Sequence, residues 1–246
     1  MADSGDVELK ALSVDDATLP VIDLSGLFTE NAEDKAAVAQ ALGEAARTSG
    51  FFYITGHGVS QDQMDAIFAA SKEFHEKPRS FKMKTWSGFT TNHRGYVPFE
   101  ENGSCFPKII NFYEAWDMSF EAPEDHPDYL AGWRMTGPNV WPEIAGWRDT
   151  VSAYYDTVSK LGLRMLDALG SGLDVPTEEL TRHLACHASQ LRLLGYVEND
   201  MTQTKDLTGI SAHSDFGCFT IMLQGAPGLQ VMNAYDVWIE APPIPG

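Results

Sequence analysis

The chain has 246 residues, 43% of them hydrophobic, enough for one large domain or two small ones. Its 35 acidic and 17 basic side chains leave a formal net charge of -18. A phosphate backbone or an anionic membrane surface would repel that charge, so neither nucleic acid nor membrane is an expected partner. Cys105, Cys186 and Cys218 are odd in number, far apart and free of any CxxC or zinc pattern, and they read as reduced thiols of a cytoplasmic protein. No apolar run approaches the ~18 residues of a membrane span, and the N-terminus is acidic where a signal peptide is basic.

Residues 1–18 are polar and acidic and read as a loosely held arm. Leu19-Pro-Val-Ile-Asp-Leu24 predicts a short strand. Asn31 is placed to cap a helix running through Arg47, with Asp34 in the first turn and Gly50 just past the end. Phe51-Phe-Tyr-Ile-Thr55 predicts a buried strand, and Gly56-His57-Gly58 a turn in which His57 has a structural role. Ser60-x-x-Gln63 is a capping box for a second helix, with Met64, Ile67, Phe68 and Phe74 on its apolar side and Pro78 ending it.

From Trp86 to Trp147, aromatics, prolines and glycines predict long loops with short strands, the kind of segment that walls a pocket. Arg94 and Tyr96 fall here, either contacting substrate or bracing the loop; His93 and His126 sit among polar residues and read as solvated. Val151, Tyr154, Tyr155, Val158, Leu161, Met165 and Leu169 mark one long amphipathic helix between Trp147 and Leu173. Thr177 caps the next, which carries His183 and His187. Their i, i+4 spacing suits zinc, but no Glu follows the first His and no third ligand lies nearby.

Ser189-Gln-Leu-Arg192-Leu-Leu-Gly-Tyr196 predicts a strand with Arg192 and Tyr196 on one face. Arg192 there either reaches a site or forms an ion pair at its rim. His213 and Asp215, at i and i+2, leave the same face of an extended segment. An imidazole beside a carboxylate suits a divalent first-row metal and supplies two of the three ligands of the two-His-one-carboxylate Fe(II) triad. On spacing alone, a His-Asp hydrogen bond in a turn explains the pair more often. Glycines bracket it, and the β-rich run Cys218 to Leu223 predicts a strand that puts the pair at the mouth of a sheet. On that strand Thr220 and Met222 alternate with outward residues, as supporting and pocket-lining groups.

Gly209-Ile-x-Ala-His213-x-Asp215-x-Gly, then Thr220, Gly228-Leu-Gln-Val231 and Trp238-Ile-x-x-Pro-Pro-Ile-Pro, together closely resemble the core of the isopenicillin N synthase-like 2-oxoglutarate/Fe(II)-dependent dioxygenases. Pro20-Val-Ile-Asp-Leu24, Gly50 to Val59, Arg94-Gly-Tyr96-Val-Pro and Gly137-Pro-Asn-Val-Trp-Pro142 resemble further landmarks of that family. The resemblance implies an α+β fold: a double-stranded β-helix (jelly-roll, cupin-like) core with flanking helices. It implies an N-terminal domain over residues 19–120, a loop and helical segment over 121–186 backing the core, and the first part of the core over 187–246. His213 and Asp215 would be metal ligands, and Tyr196 would help hold the 2-oxoglutarate carboxylate, with Arg192 and Thr220 nearby. Two positions depart from the pattern near Tyr196: Leu194, where many members have Asn, and Val197, where many have Pro.

The implied activity is an Fe(II)- and 2-oxoglutarate-dependent oxygenase that uses O2 to hydroxylate, desaturate or cyclise a small organic molecule, releasing succinate and CO2. The family's second His ligand and its Arg-x-Ser pair for 2-oxoglutarate would follow Asp215. The 31 residues that follow it contain neither histidine nor arginine. The expectation is therefore an incomplete chain whose last core strands are missing. Two alternatives stand beside it: an Fe(II) oxidase of the isopenicillin N synthase type that does without 2-oxoglutarate, and a catalytically inactive binding module.

Overall fold

The computed structural model describes residues 19–101, 110–181, 189–196, 207–215, 217–233 and 236–245. In chain order come β1 (Val21–Asp23), α1 (Ala32–Thr48), β2 (Tyr53–Thr55), α2 (Gln61–His75), α3 (Arg79–Lys82), β3 (Gly95–Val97), β4 (Ile110–Asn111) and β5 (Tyr113–Ser119). Then follow α4 (Pro127–Leu130), α5 (Trp147–Gly172), α6 (Thr177–Thr181), β6 (Gln190–Tyr196), β7 (Leu207–Thr208), β8 (Gln230–Met232) and β9 (Trp238–Glu240). The chain divides into two units, one of residues 1–59, 160–181 and 222–246, the other of residues 60–159 and 182–221. Among the described residues, no helix is long and apolar enough to cross a membrane.

In the first unit, β1 and β2 pair in parallel, Val21 opposite Tyr53. The Asn31 side chain accepts from the Glu33 N–H at 2.9 Å and starts α1, as its sequence predicts. α1 and the last turn of α5 approach so closely that a Cβ on Gly172 would run into the Ala39 carbonyl, and one on Gly43 into Gly172. β8 and β9 form an antiparallel pair whose Val231, Ile239 and Ala241 pack with Leu19, Tyr53 and Leu229. The Tyr53 hydroxyl adds a 2.6 Å bond to the Pro242 carbonyl.

The second unit holds the three-stranded antiparallel sheet β3–β5–β6 and the parallel pair β4–β7. Ser60 and Gln63 form the expected capping box on α2. Every residue of β5 is buried, and its alternation sorts side chains into two sets. Glu114, Trp116 and Met118 share one face with Tyr96 and Leu193, their register partners being Gly195, Leu193 and Leu191. Tyr113, Ala115 and Asp117 share the other with Tyr196, Leu194 and Arg192. On the Trp116 side the core is aromatic: Trp116 and Trp147 meet edge-on at 4.6 Å between centroids, and Phe74, Tyr96 and Trp141 complete the cluster. The Trp147 indole N–H donates to the Ala70 carbonyl at 2.8 Å, tying the start of α5 to α2.

Several expectations are corrected. The run Cys218 to Leu223 forms no strand: residues 217–224 are irregular, because no described neighbour supplies a ladder for their backbone groups. The strand after Gly50 covers Tyr53–Thr55 alone and is half-buried, with Phe51 exposed. The middle of the chain contains β5, a seven-residue buried strand, where loops and short strands are expected. His126 is half-buried and caps α4, its Nδ1 accepting from the Asp128 N–H at 3.2 Å. The fold is α+β, but the described sheets have two or three strands each, short of a closed jelly roll. His183, His187, Cys105 and Cys186 lie outside the described residues.

Candidate active site

The start of β5 and the end of β6 form the floor. Tyr113 and Tyr196 are register partners, their rings 6.2 Å apart. Gly209 passes against them: a Cβ there would lie 3.2 Å from the Tyr196 ring. Just upstream, β4 pairs with β7, Asn111 opposite Thr208, and the Phe112 N–H donates to the Gly209 carbonyl at 3.2 Å. The buried Asn111 side chain then accepts from the Ser211 N–H at 2.7 Å. The segment leading to His213 is thus fastened to β4 and the β4–β5 junction at successive points.

His213 and Asp215 do converge. The His213 Nδ1 lies 2.8 Å from the Ser211 carbonyl, which only accepts, so Nδ1 carries a proton and Nε2 is the nitrogen left to face Asp215. That Nε2 lies 3.3 Å from Asp215 Oδ1, with 46% and 50% of the two side chains exposed. The other oxygen, Oδ2, accepts from the Thr220 hydroxyl. An imidazole nitrogen and a carboxylate oxygen this close can share a proton or hold a cation between them. The donor set, one imidazole and one carboxylate held from behind, fits a divalent first-row metal. Among the described residues no third His, Cys, Asp or Glu joins them.

The Arg192 guanidinium is held by Asp117 through two 2.7 Å bonds, Nε to Oδ1 and Nη2 to Oδ2. These bonds raise the pKa of Arg192 above its ordinary value. Of the two sequence readings for Arg192 the ion pair is the one observed. Arg94 is fully buried and donates to the Met135 carbonyl at 2.7 Å, while its Nε and Nη1 meet no hydrogen-bond partner among the described residues. Burial pushes the Arg94 pKa down, against the attraction of Tyr155, Asp117 and Glu121. Tyr96 is buried on the Trp116 face, its hydroxyl donating to Glu114 Oε2 at 2.6 Å. Both residues therefore brace the interior. Met222 is exposed and belongs to the first unit. His57 Nδ1 accepts from the Val59 N–H at 3.1 Å, in keeping with a loop role.

Four polar residues of this unit have no obvious signature in the sequence: Asn111, Glu114, Asp117 and Ser211. Glu114 is almost entirely buried and contacts His75 (3.1 Å), the Lys82 ammonium and the Tyr96 hydroxyl. Burial alone would raise its pKa, but the hydrogen bonds from His75, Lys82 and Tyr96 outweigh it and hold the carboxyl at about 2. Asp117 could have been found through its partner: a lone Arg on a predicted strand needs a carboxylate, and Asp117 lies in the aromatic-rich stretch able to pair with it. Asn111 offers no local signal.

A family profile described as the N-terminal region of the non-haem dioxygenases of morphine synthesis matches residues 19–144. The 2-oxoglutarate-dependent dioxygenase caaD of Aspergillus niger is 32% identical over 240 residues, covering 95% of this chain and 73% of that one. The chain belongs to the 2-oxoglutarate- and Fe(II)-dependent oxygenase family. A second member, the 2-oxoglutarate-Fe(II) type oxidoreductase hxnY of Emericella nidulans, is 30% identical, with 92% of this oxygenase and 67% of hxnY covered. The oxygenase chain thus spans about two thirds to three quarters of the length of these relatives. In fold it matches a full-length Neurospora crassa protein solved in complex with alpha-KG and thymine, at a TM-score of 0.77 and 24% identity, covering 96% of this chain and 74% of that one.

Proposed function

We propose that His213 and Asp215 are the Fe(II) ligands of a 2-oxoglutarate-dependent oxygenase that oxidises a small organic molecule. Family membership carries the reaction class, and one observation carries the site: Nε2 of His213 and Oδ1 of Asp215 converge to 3.3 Å, the ring held from behind by Ser211 and the carboxylate by Thr220. When bound, Fe(II) and 2-oxoglutarate supply O2 activation and two-electron oxidation, with succinate and CO2 released. The chain's own residues do the positioning. Thr220 turns the Asp215 carboxylate, and the Ser211 carbonyl keeps the His213 proton on Nδ1. The Tyr196 hydroxyl, on the exposed part of the β5–β6 floor, is the proposed donor to a 2-oxoglutarate carboxylate. Arg192 serves by holding Asp117, on the same strand face as Tyr196, rather than by gripping 2-oxoglutarate.

The short sheets are read as parts of a jelly roll, in keeping with the likeness to the Neurospora crassa protein. A small-molecule substrate agrees with the thymine bound by that protein. The three cysteines, without disulfide or zinc spacing, favour a cytoplasmic setting.

Anaerobic titration of Fe(II) into the chain with 2-oxoglutarate present tests the site through the weak visible charge-transfer band of the chelate. The band is expected to saturate in the parent protein and to vanish in His213→Ala and Asp215→Ala. A band that survives both substitutions, or none in the folded parent, would sink the assignment.

A further inference from the structure

His213 is oriented by a bond that neither it nor its neighbours in sequence make visible. The Ser211 carbonyl fixes which ring nitrogen of His213 is protonated, and the Ser211 peptide is in turn held through its N–H by the Oδ1 of Asn111, 2.7 Å away and 100 residues earlier in the chain. Asn111 is buried, and its backbone is locked by pairing with Thr208, while the next residue, Phe112, holds the Gly209 carbonyl. The relay therefore starts on a fixed strand. A side-chain amide oxygen there stands in for the missing backbone acceptor: β4 and β7 pair for two residues only, and Asn111 carries the fastening past their end to Ser211.

We propose that Asn111 is a positioning residue for the metal site, acting through the Ser211 peptide to keep the His213 Nε2 lone pair aimed beside Asp215. The inference rests on the reading of His213 and Asp215 as metal ligands. Nothing about Asn111 touches the reacting atoms. Its effect is to remove alternatives: without it the 211 peptide loses this tether, its carbonyl is held less firmly against Nδ1, and either ring nitrogen can carry the proton. Ligand-orienting groups of this kind, removed singly, typically cost about 10- to 100-fold in metal affinity.

Two readouts on the intact chain test it. One is Mn(II) alone, titrated with free ion followed by EPR. The other is nitrogen-15 NMR of the histidine rings in the metal-free chain, which reports which nitrogen is protonated. Asn111→Ala is expected to weaken Mn(II) binding by about 10- to 100-fold and to turn a single Nδ1–H form of His213 into a mixture. Asn111→Asp, which keeps an acceptor at the same place, is expected to restore both. An Asn111→Ala chain that keeps the Nδ1–H form, or keeps parent Mn(II) affinity, overturns the proposal. If the parent and His213→Ala bind Mn(II) alike, the metal reading fails, and the ring measurement alone then decides whether Asn111 orients His213. Should Asn111→Ala not fold, amide exchange in the parent decides: a Ser211 N–H that exchanges as fast as an open loop overturns the proposal.

Discussion

Asp117 and Arg192 close a side-on ion pair across β5 and β6, two parallel 2.7 Å bonds with only 2% of the carboxylate side chain exposed. The geometry satisfies both forks, and the neighbouring strands leave Asp117 no route to water. Breaking such a pair from one side strands a buried charge, whereas replacing both partners removes the need for either. Because 40% of the Arg192 side chain is exposed and its loss admits water to Asp117, Arg192→Ala is expected to cost about 1–3 kcal/mol in urea unfolding. The double change Asp117→Leu with Arg192→Met is expected to recover most of that loss. An Arg192→Ala chain of parent stability would show that the pair contributes nothing.

Glu114 gives the second unit an acid limit. Its carboxyl titrates at about 2 in the folded chain against 4.5 for the free group, so the folded state holds the charged form more tightly. The stability this contributes is fully present above pH 4.5 and is lost as pH falls from there toward about 2, on the order of 3 kcal/mol in all. Glu114→Gln is expected to be less stable than the parent at pH 7 and to lose less on acidification. Unfolding free energies at pH 7, 4.5 and 3 measure this, and parallel curves for the two proteins would refute it.

Thr220 is a test of how finely Asp215 must be turned. Its hydroxyl donates to Oδ2 in an exposed segment, so Thr220→Val removes one bond with little change in packing. Stability should move by less than about 0.5 kcal/mol. Mn(II) affinity should fall by roughly 10-fold, read by calorimetry. An unchanged affinity would mean that the Asp215 rotamer is set elsewhere.

At Gly172, two effects of opposite sign compete. Helix propensity favours Ala over Gly by about 1 kcal/mol, yet a Cβ there meets the Ala39 carbonyl of α1. Neither backbone can yield without separating the helices, so overpacking should win. Gly172→Ala is expected to destabilise by about 1–3 kcal/mol in thermal and urea melts. A stabilised variant would place α1 farther from α5.

What the sequence made legible was local. The caps at Asn31 and Ser60, the long stripe of α5 and the single-face placement of Arg192 and Tyr196 each follow from periodicity or from a hydrogen bond within a few residues. The convergence of His213 and Asp215 was legible for the same reason. β5 was obscured because Glu114 and Asp117 break the apolar pattern of a buried strand, and only Lys82, His75 and Arg192, distant in sequence, make those charges tolerable. The run Cys218 to Leu223 has the composition of a strand and lacks, among the described residues, the partner that would make it one. Asn111 was invisible because its partner lies 100 residues away.

The alternation along β5 also divides the protein by how freely it can change over evolutionary time. On the Glu114 and Trp116 side, a substitution must be answered by Lys82, His75, Tyr96 or an indole, so single changes there are costly. Past the Asp117–Arg192 pair, the other side carries Leu194, which is half-buried, and Tyr196, which is exposed. New side chains can be tried at Leu194 without disturbing the charges of the first face. A lineage could thus change that face while the aromatic interior, one residue away along the same strand, stays as it is.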